Sequence, residues 1–465
     1  MFSILDHQQS LCDGITRRQA LRVGSIGLGG LSLPRVLQAA ESRGSDAAHP
    51  VRAKSVILFW LTGGVPQHDT WDPKPEGPSP SRSEFGTIAT RTPGLNVGAL
   101  MPRTAQLTDR IAVIRSMHTG DNSHSSSGYQ MLTGIPHIPL SRENALPGAP
   151  NDWPSVGALL RTQRQDRDGL PAAITLPRHI ANVGEKLWPG QDGGFLGRKF
   201  DPWLLTCDPS TPNFQIPDLS LPKDVSQLRL DRRLSLLKQV NGELDHLERH
   251  AAAGKFDLRT QQAISLLTGQ RARNAFDLSQ ETPAMRERYG KSKFAQSVLL
   301  ARRLVEAGTS LVQVNWQQIK GKEKHGRWDT HLKHHESLKG WLMPIMDRSY
   351  SALIEDLEER GLLDETLIAW VGEFGHTPKI NARAGRDHWG SAFSIALAGG
   401  GIKGGIVHGA TDAQAGQVVS DRVAPSDYVA TVLHCMGIRP ETIIYDTQSR
   451  PLPLSRGQIL DSLVV

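Results

Sequence analysis

Acidic and imidazole side chains gather in two short stretches of this sequence. Trp328-Asp329-Thr330-His331 supplies one carboxylate and one imidazole; TLIAWV, residues 366–371, leads two residues later to Glu373 and, past a Gly- and Arg-containing segment, to Asp387-His388. Together they form a mixed oxygen and nitrogen donor set of the kind that suits a hard or borderline divalent metal such as zinc, calcium or manganese. The first expectation is therefore a metal site built from Asp329, His331, Glu373, Asp387 and His388. Two further places bear chemistry. Pro66 to Pro73 carries His68 and Asp69 in a loop that reads either as ordinary turn chemistry or as part of the site. His118 to Gly128 carries Ser123, His124 and Ser125, groups suited to nucleophilic attack or ligation. The same cluster also reads as a Ser-rich helix cap.

The elements that must position these groups alternate between strand and helix patterns. SVILFWL (55–61), IAVIRS (111–116), AAITLP, LVQVN (311–315), TLIAWV and 394–398 are apolar, β-branched runs of buried-strand length. Helical patterning covers WPSVGALLRT, the segment beginning at Pro344, and 425–436. This order predicts an α/β protein with parallel strand, helix, strand units. Glu373 then falls at the carboxyl edge of a strand, where ligands bind in open α/β sheets. Residues 226–306 read as a mainly helical insertion covering one edge of the sheet. Gly399 to Gly404 fits a dinucleotide fingerprint, but Ile406 to Gly409 reads as strand and turn, and no helix follows to hold a pyrophosphate.

Composition bounds the partners. The 465 residues, 38% hydrophobic and 22% charged with 45 Gly and 29 Pro, describe a loop-rich globular protein. Of the formal +6, residues 1–40 supply +2, four arginines against two aspartates. No basic run with interleaved aromatics remains, so nucleic acid is not an expected partner. Thr16-Arg17-Arg18 before a weakly apolar, Gly-rich stretch resembles a twin-arginine signal over 1–40, which implies the twin-arginine export machinery and a periplasmic or extracytoplasmic location. No later stretch is long and apolar enough to predict an integral membrane segment in the mature chain. Cys12 lies in the leader; Cys207 and Cys435 leave at most one bridge, and no CxxC exists. Haem, iron–sulfur and flavin motifs are also missing, which argues against a redox protein.

GGVPQHDTWDPKP, IAVIRSM, SSGYQMLTG, GGFLGRKFDP, RWDTH, ALIEDLEERGLLDETLIAWVGEFGHTPKI, GRDHW and AGGGIKGG resemble the bacterial domain-of-unknown-function family 1501 across nearly the whole mature chain. That family looks like a distant branch of the alkaline phosphatase and sulfatase superfamily. The resemblance implies a three-layer α/β/α sandwich over residues 51–465 and a metal-centred site that cleaves phosphate or sulfate esters of a small molecule or glycan. Asp329 resembles the superfamily's metal aspartate and His388 its late histidine ligand. Lys333 stands where a second imidazole is expected, Glu373 where an aspartate is usual, and Phe374 where a metal histidine is usual. Thr62 replaces the first-strand aspartate, leaving Asp69 or His68 to substitute. Counting back from Thr133-Gly134, the nucleophile position falls on His124, flanked by Ser123 and Ser125. The attacking group is then His124, a flanking serine or a water, with Arg386 and Lys379 placed to steady the transferred group. The alternative is a non-catalytic exported protein that keeps the same donors as a metal- or glycan-binding site.

Overall fold

The computed structural model describes residues 52–182, 184–212, 214, 216, 232, 235, 270–322 and 326–465. The expected leader, and most of 226–269 in the expected insertion, lie outside the described residues.

Eight strands form the central sheet: β1 (Ser55–Trp60), β2 (Ile111–Met117), β3 (Ala173–Leu176), β4 (Trp203–Leu204), β5 (Leu311–Asn315), β6 (Thr366–Val371), β7 (Phe393–Ala398) and β8 (Ile406–His408). Their spatial order is β8-β2-β7-β6-β1-β5-β3-β4. From β6 to β4 the pairs are all parallel, while β7 runs antiparallel to both β6 and β2. The sequence pattern shows the strands but not this reversal, because an all-apolar run reads alike in either direction.

Burial alternates across the sheet as the two-residue period of a strand requires. In β1, Ile57 and Phe59 enter one apolar cluster and Val56, Leu58 and Trp60 the other. In β6, Ile368 and Trp370 face the first cluster, and Leu367, Ala369 and Val371 the second. Both faces are therefore covered, which explains why the strands are continuous apolar runs. Five helices form most of the covering layers: α1 (His124–Thr133), α2 (Val156–Gln163), α3 (Lys293–Glu306), α4 (Met343–Glu359) and α5 (Pro425–Cys435). Val298 and Leu299 of α3 and Tyr350 and Leu353 of α4 fill the first cluster; Met131 of α1, Leu159 of α2 and Val429 of α5 fill the second. The result is a three-layer α/β/α sandwich. α3 lies over the middle strands β1 and β5, inside the core layer instead of along the sheet's edge.

Short 3-10 turns and two-residue ribbons carry the connections at the ends of these strands. Gly375–His376 pairs antiparallel with His388–Trp389, so the loop after β6 folds back on itself and brings Asp387 and His388 toward the end of β6. Cys207 and Cys435 are both buried and free, so no bridge joins them. Among the described residues no helix is long and apolar enough to cross a membrane.

Candidate metal centre

Three loops meet beyond the ends of β1 and β6. Trp328 N–H donates to the Thr62 carbonyl (3.1 Å) and Arg386 N–H to the Thr330 carbonyl (3.1 Å), so the segment bearing Asp329 is pinned between the end of β1 and the loop after β6. Gly63 makes that approach feasible. Its φ is +115°, and a Cβ there would lie 2.1 Å from the Asp329 nitrogen, so only glycine fits. Its own N–H donates to Glu373 Oε1 at 2.7 Å. α1 then starts at His124 and projects that side chain into the same space.

Asp329 is the hub. Its Oδ1 lies 3.0 Å from His331 Nε2 and 3.1 Å from His388 Nε2, and its Oδ2 lies 3.3 Å from His124 Nε2. His124, Asp329 and His388 offer ligand atoms that all lie within 4.8 Å of one another. The far nitrogen of each ring is also engaged. His388 Nδ1 donates to the Asn122 carbonyl (2.8 Å), His331 Nδ1 meets Asp387 Oδ1 (2.7 Å), and His124 Nδ1 meets Glu373 Oε1 (2.9 Å).

The tautomers follow from these partners. A carbonyl only accepts, so His388 carries its proton on Nδ1, and the neutral ring turns a bare Nε2 lone pair toward a carboxylate oxygen. The Asp387 carboxylate favours the same arrangement in His331. Lone pair facing lone pair at about 3 Å is repulsive unless positive charge lies between them, so the group needs either added protons or a cation. Burial works against a charged His124, but the hydrogen bonds and charges of Asp329 and Glu373 override it and carry its pKa up to about 10. Burial likewise opposes charge on Asp329, yet His124 and His388 beside its two oxygens hold it well below the usual carboxylate range. Glu373 is fully buried and its Oε2 has no partner among the described residues. Imidazoles held through their outer nitrogens around a shared carboxylate are the arrangement seen where histidines ligate a metal. The residues present fit a divalent cation.

Asp69 and His68 do not join this group. Asp69 is fully buried one layer behind it, with Oδ2 at 2.9 Å from His334 Nε2 and Oδ1 accepting from Ser83 Oγ at 2.6 Å. His334 Nδ1 in turn lies 2.6 Å from Thr330 Oγ1. Asp69, His334 and Thr330 thus form a strut ending on the residue next to Asp329. His68 donates Nε2–H to the Gln414 carbonyl (2.8 Å), and burial pushes its pKa down to about 3. Arg386 belongs to the same buried layer: its guanidinium donates to the Thr377 and Pro378 carbonyls and stands 3.9 Å from Asp69, so it braces the loop and has no free face for a transferred group. The serines also depart from the nucleophile expectation. Ser125 Oγ donates to the Arg142 carbonyl and accepts from Ala145 N–H, both at 2.9 Å, while Ser123 sits at the amino end of α1 with its N–H on Asp121 Oδ1. Neither hydroxyl has a described contact with Asp329 or its histidines.

His334 and His376 escaped the sequence reading. His376 is fully buried with neither ring nitrogen partnered among the described residues, and its ring centroid is 5.6 Å from that of His334. His334 lies three residues past His331, a spacing that places two imidazoles near one loop, and that was the available signal.

Sheet order and the two helical layers define the class: a mixed α/β/α sandwich. The family model described as "Protein of unknown function (DUF1501)" matches residues 53–464, and the chain belongs to that family. No curated protein matches it. Solved structures that resemble it include Ps i-CgsB in complex with k-i-k-neocarrahexaose, 13% identical over 83% of this chain and 72% of that one, with a TM-score of 0.39. PsFucS1 sulfatase from Pseudoalteromonas sp. is 13% identical over 86% and 70%, with a TM-score of 0.37. Phosphonate monoester hydrolase SpPMH from Silicibacter pomeroyi is 13% identical over 88% and 76%, with a TM-score of 0.35. Likenesses this distant say nothing of activity.

Proposed function

We propose that this protein is an exported, metal-dependent hydrolase of phosphate or sulfate esters, with the ion held by Asp329, His124, His388 and His331. The observation that carries this reading is the convergence of three imidazole Nε2 atoms on one carboxylate while their outer nitrogens are tied elsewhere. Three imidazoles and one carboxylate favour zinc or a similar borderline ion over calcium, which takes oxygen donors. When bound, such an ion supplies Lewis-acid polarisation of a nonbridging ester oxygen and neutralises developing charge. The chain's own residues do the rest. Asp387 and the Asn122 carbonyl fix the ring orientations of His331 and His388, and the Gly63 N–H fixes Glu373. Glu373, buried against His124 Nδ1, is the group placed to take or hold a proton at that nitrogen. With Ser125 engaged in its loop, the attacking group in this reading is water. The ester class itself comes from the superfamily resemblance of the motifs, and export from the twin-arginine leader.

The engaged serines also favour a second reading, a metal- or glycan-binding protein without turnover. Metal analysis of the purified chain, followed by a screen of aryl phosphate and aryl sulfate esters, separates the two. Stoichiometric zinc-type metal with hydrolysis of at least one ester is expected. Bound metal with no turnover favours the binding protein, and a chain that takes up no metal on reconstitution defeats the hydrolase and leaves only glycan binding.

A further inference from the structure

The three imidazoles that reach Asp329 are not held equally well. The His124 and His388 side chains are 14% and 15% exposed, whereas His331 is 28% exposed and its support, the Asp387 carboxylate, is 48% exposed. A carboxylate that open to water exchanges its partner readily for solvent, so Asp387 by itself holds the His331 ring weakly. A further group must hold Asp387.

Asn381 is that group. One hydrogen of its Nδ2 amide goes to Asp387 Oδ1 (3.0 Å), the same oxygen that meets His331 Nδ1 at 2.7 Å, and the other to the His331 carbonyl (3.0 Å). Its Oδ1 accepts from the N–H groups of Arg383 (2.9 Å) and Gly385 (3.0 Å). Two pure acceptors face one end of the amide and two pure donors the other, so a single orientation of the side chain satisfies all four bonds. The Asn381 N–H donates to the Gly385 carbonyl (2.7 Å) and the Ala384 N–H to the Asn381 carbonyl (3.1 Å), closing the turn, and the His334 N–H donates to the Ala384 carbonyl (2.9 Å). Gly385 lets this turn rest directly on the loop that bears His331, because a Cβ there would lie 2.0 Å from the His331 carbonyl carbon. With one amide, Asn381 grips both the backbone of His331 and the carboxylate behind its ring.

We propose that Asn381 is a positioning residue for the metal centre: acting through Asp387 Oδ1, it fixes the direction in which His331 presents Nε2 to the ion. The ion rests on the reading proposed for this site; the hold on the His331 ring does not. The test uses Asn381→Ser and Asn381→Ala in the mature protein. A serine oxygen still accepts from backbone N–H groups in such turns, but it carries no amide to reach Asp387. Zinc affinity, read by competition with a chromophoric chelator, is expected to fall about tenfold in both variants, with the Asn381→Ser melting curve unchanged. In an Asp387→Asn background the same substitutions should weaken zinc by no more than about twofold, because the residue they act through is already lost. A full further loss in that background would mean that Asn381 serves only the turn, and it would overturn the proposal. Wild-type zinc affinity in Asn381→Ser would overturn it equally.

If the wild-type chain takes up no zinc, the metal reading fails and the positioning is decided on the metal-free protein. The His331 Nδ1–H proton, identified in proton–nitrogen NMR by its absence from His331→Gln, should be sharp in wild type and broadened by exchange with water in Asn381→Ser. Equal line widths, or no such signal in wild type, would remove Asn381 from this role.

Discussion

Asp329 is the residue on which the chemistry turns, because three imidazole nitrogens share its two oxygens. Replacing it by alanine removes the common donor and leaves His124, His331 and His388 facing empty space. Asp329→Ala and His388→Ala are each expected to lose bound metal, as read by elemental analysis of the purified variants; full content in both would take these residues out of the site. Asp387 acts one step further out, by holding His331 Nδ1. Asp387→Asn should keep the metal at saturation but weaken its binding by about 10–100-fold, the usual effect of removing such a support. Acid should release the ion, because a protonated ring has no lone pair to offer, and protons compete most strongly at His124, whose pKa, despite burial, Asp329 and Glu373 carry up to about 10. Metal affinity that does not fall with pH would argue against histidine ligation.

Elements place these residues through backbone contacts that leave little slack. Gly63 ends the turn after β1 with φ +115° and touches the Asp329 backbone. Gly63→Ala combines a strained φ with a collision against main chain that cannot rotate away, so it should destabilise by more than about 1 kcal/mol and lower metal affinity together. A denaturant titration beside a metal titration checks both. Behind the loop, the Asp69, His334 and Thr330 strut fixes the peptide that follows Asp329. Burial holds the His334 pKa down, so the neutral ring spans from the Asp69 carboxylate to the Thr330 hydroxyl. Asp69→Asn replaces that acceptor with an amide and should weaken metal binding roughly tenfold with the site otherwise intact. The motif around Asp69 was legible in the sequence as chemistry; its separation from Asp329 by the His334 and Thr330 link was not. A loop after one strand can lie in front of or behind its neighbour, and only the packing of 326–335 against 384–386 decides which.

The whole molecule is held at a distance from this centre by a buried charge network between α3 and α4. Arg302 is completely buried and meets Glu281 at 2.7 Å, Glu306 at 2.6 Å and Asp356 at 2.9 Å; Tyr289 and Arg360 also bond Asp356. Truncating Arg302 to alanine removes the charge that two buried carboxylates share, leaving Asp356 to Tyr289 and Arg360 and Glu281 to Arg303, and should cost about 1–3 kcal/mol in equilibrium unfolding. Burial tends to raise the Glu281 pKa, but Arg302 and Arg303 outweigh it and hold the carboxyl below its ordinary 4.5. A carboxyl lowered on folding contributes stability that is complete above 4.5 and fades as pH drops through the lowered folded value. Unfolding free energies measured at successively lower pH should therefore fall less steeply in Glu281→Gln than in wild type, and parallel slopes would mean that the pair contributes nothing.

Local pattern alone determined much of this protein. The buried strands at 55–60, 111–117, 311–315 and 366–371 declare themselves because a strand covered on both faces must be apolar throughout, and Asp329, Glu373 and His388 stand out because carboxylates and imidazoles sit where such strands end. Tertiary structure decided the rest: that β7 runs against its neighbours, that His124 turns inward to Asp329 while Ser125 turns away into its loop, and that Asp69 reaches the Asp329 loop only through His334 and Thr330. These outcomes depend on which loops cross over which strand ends. That is fixed by contacts between residues hundreds of positions apart, which neither spacing nor composition records.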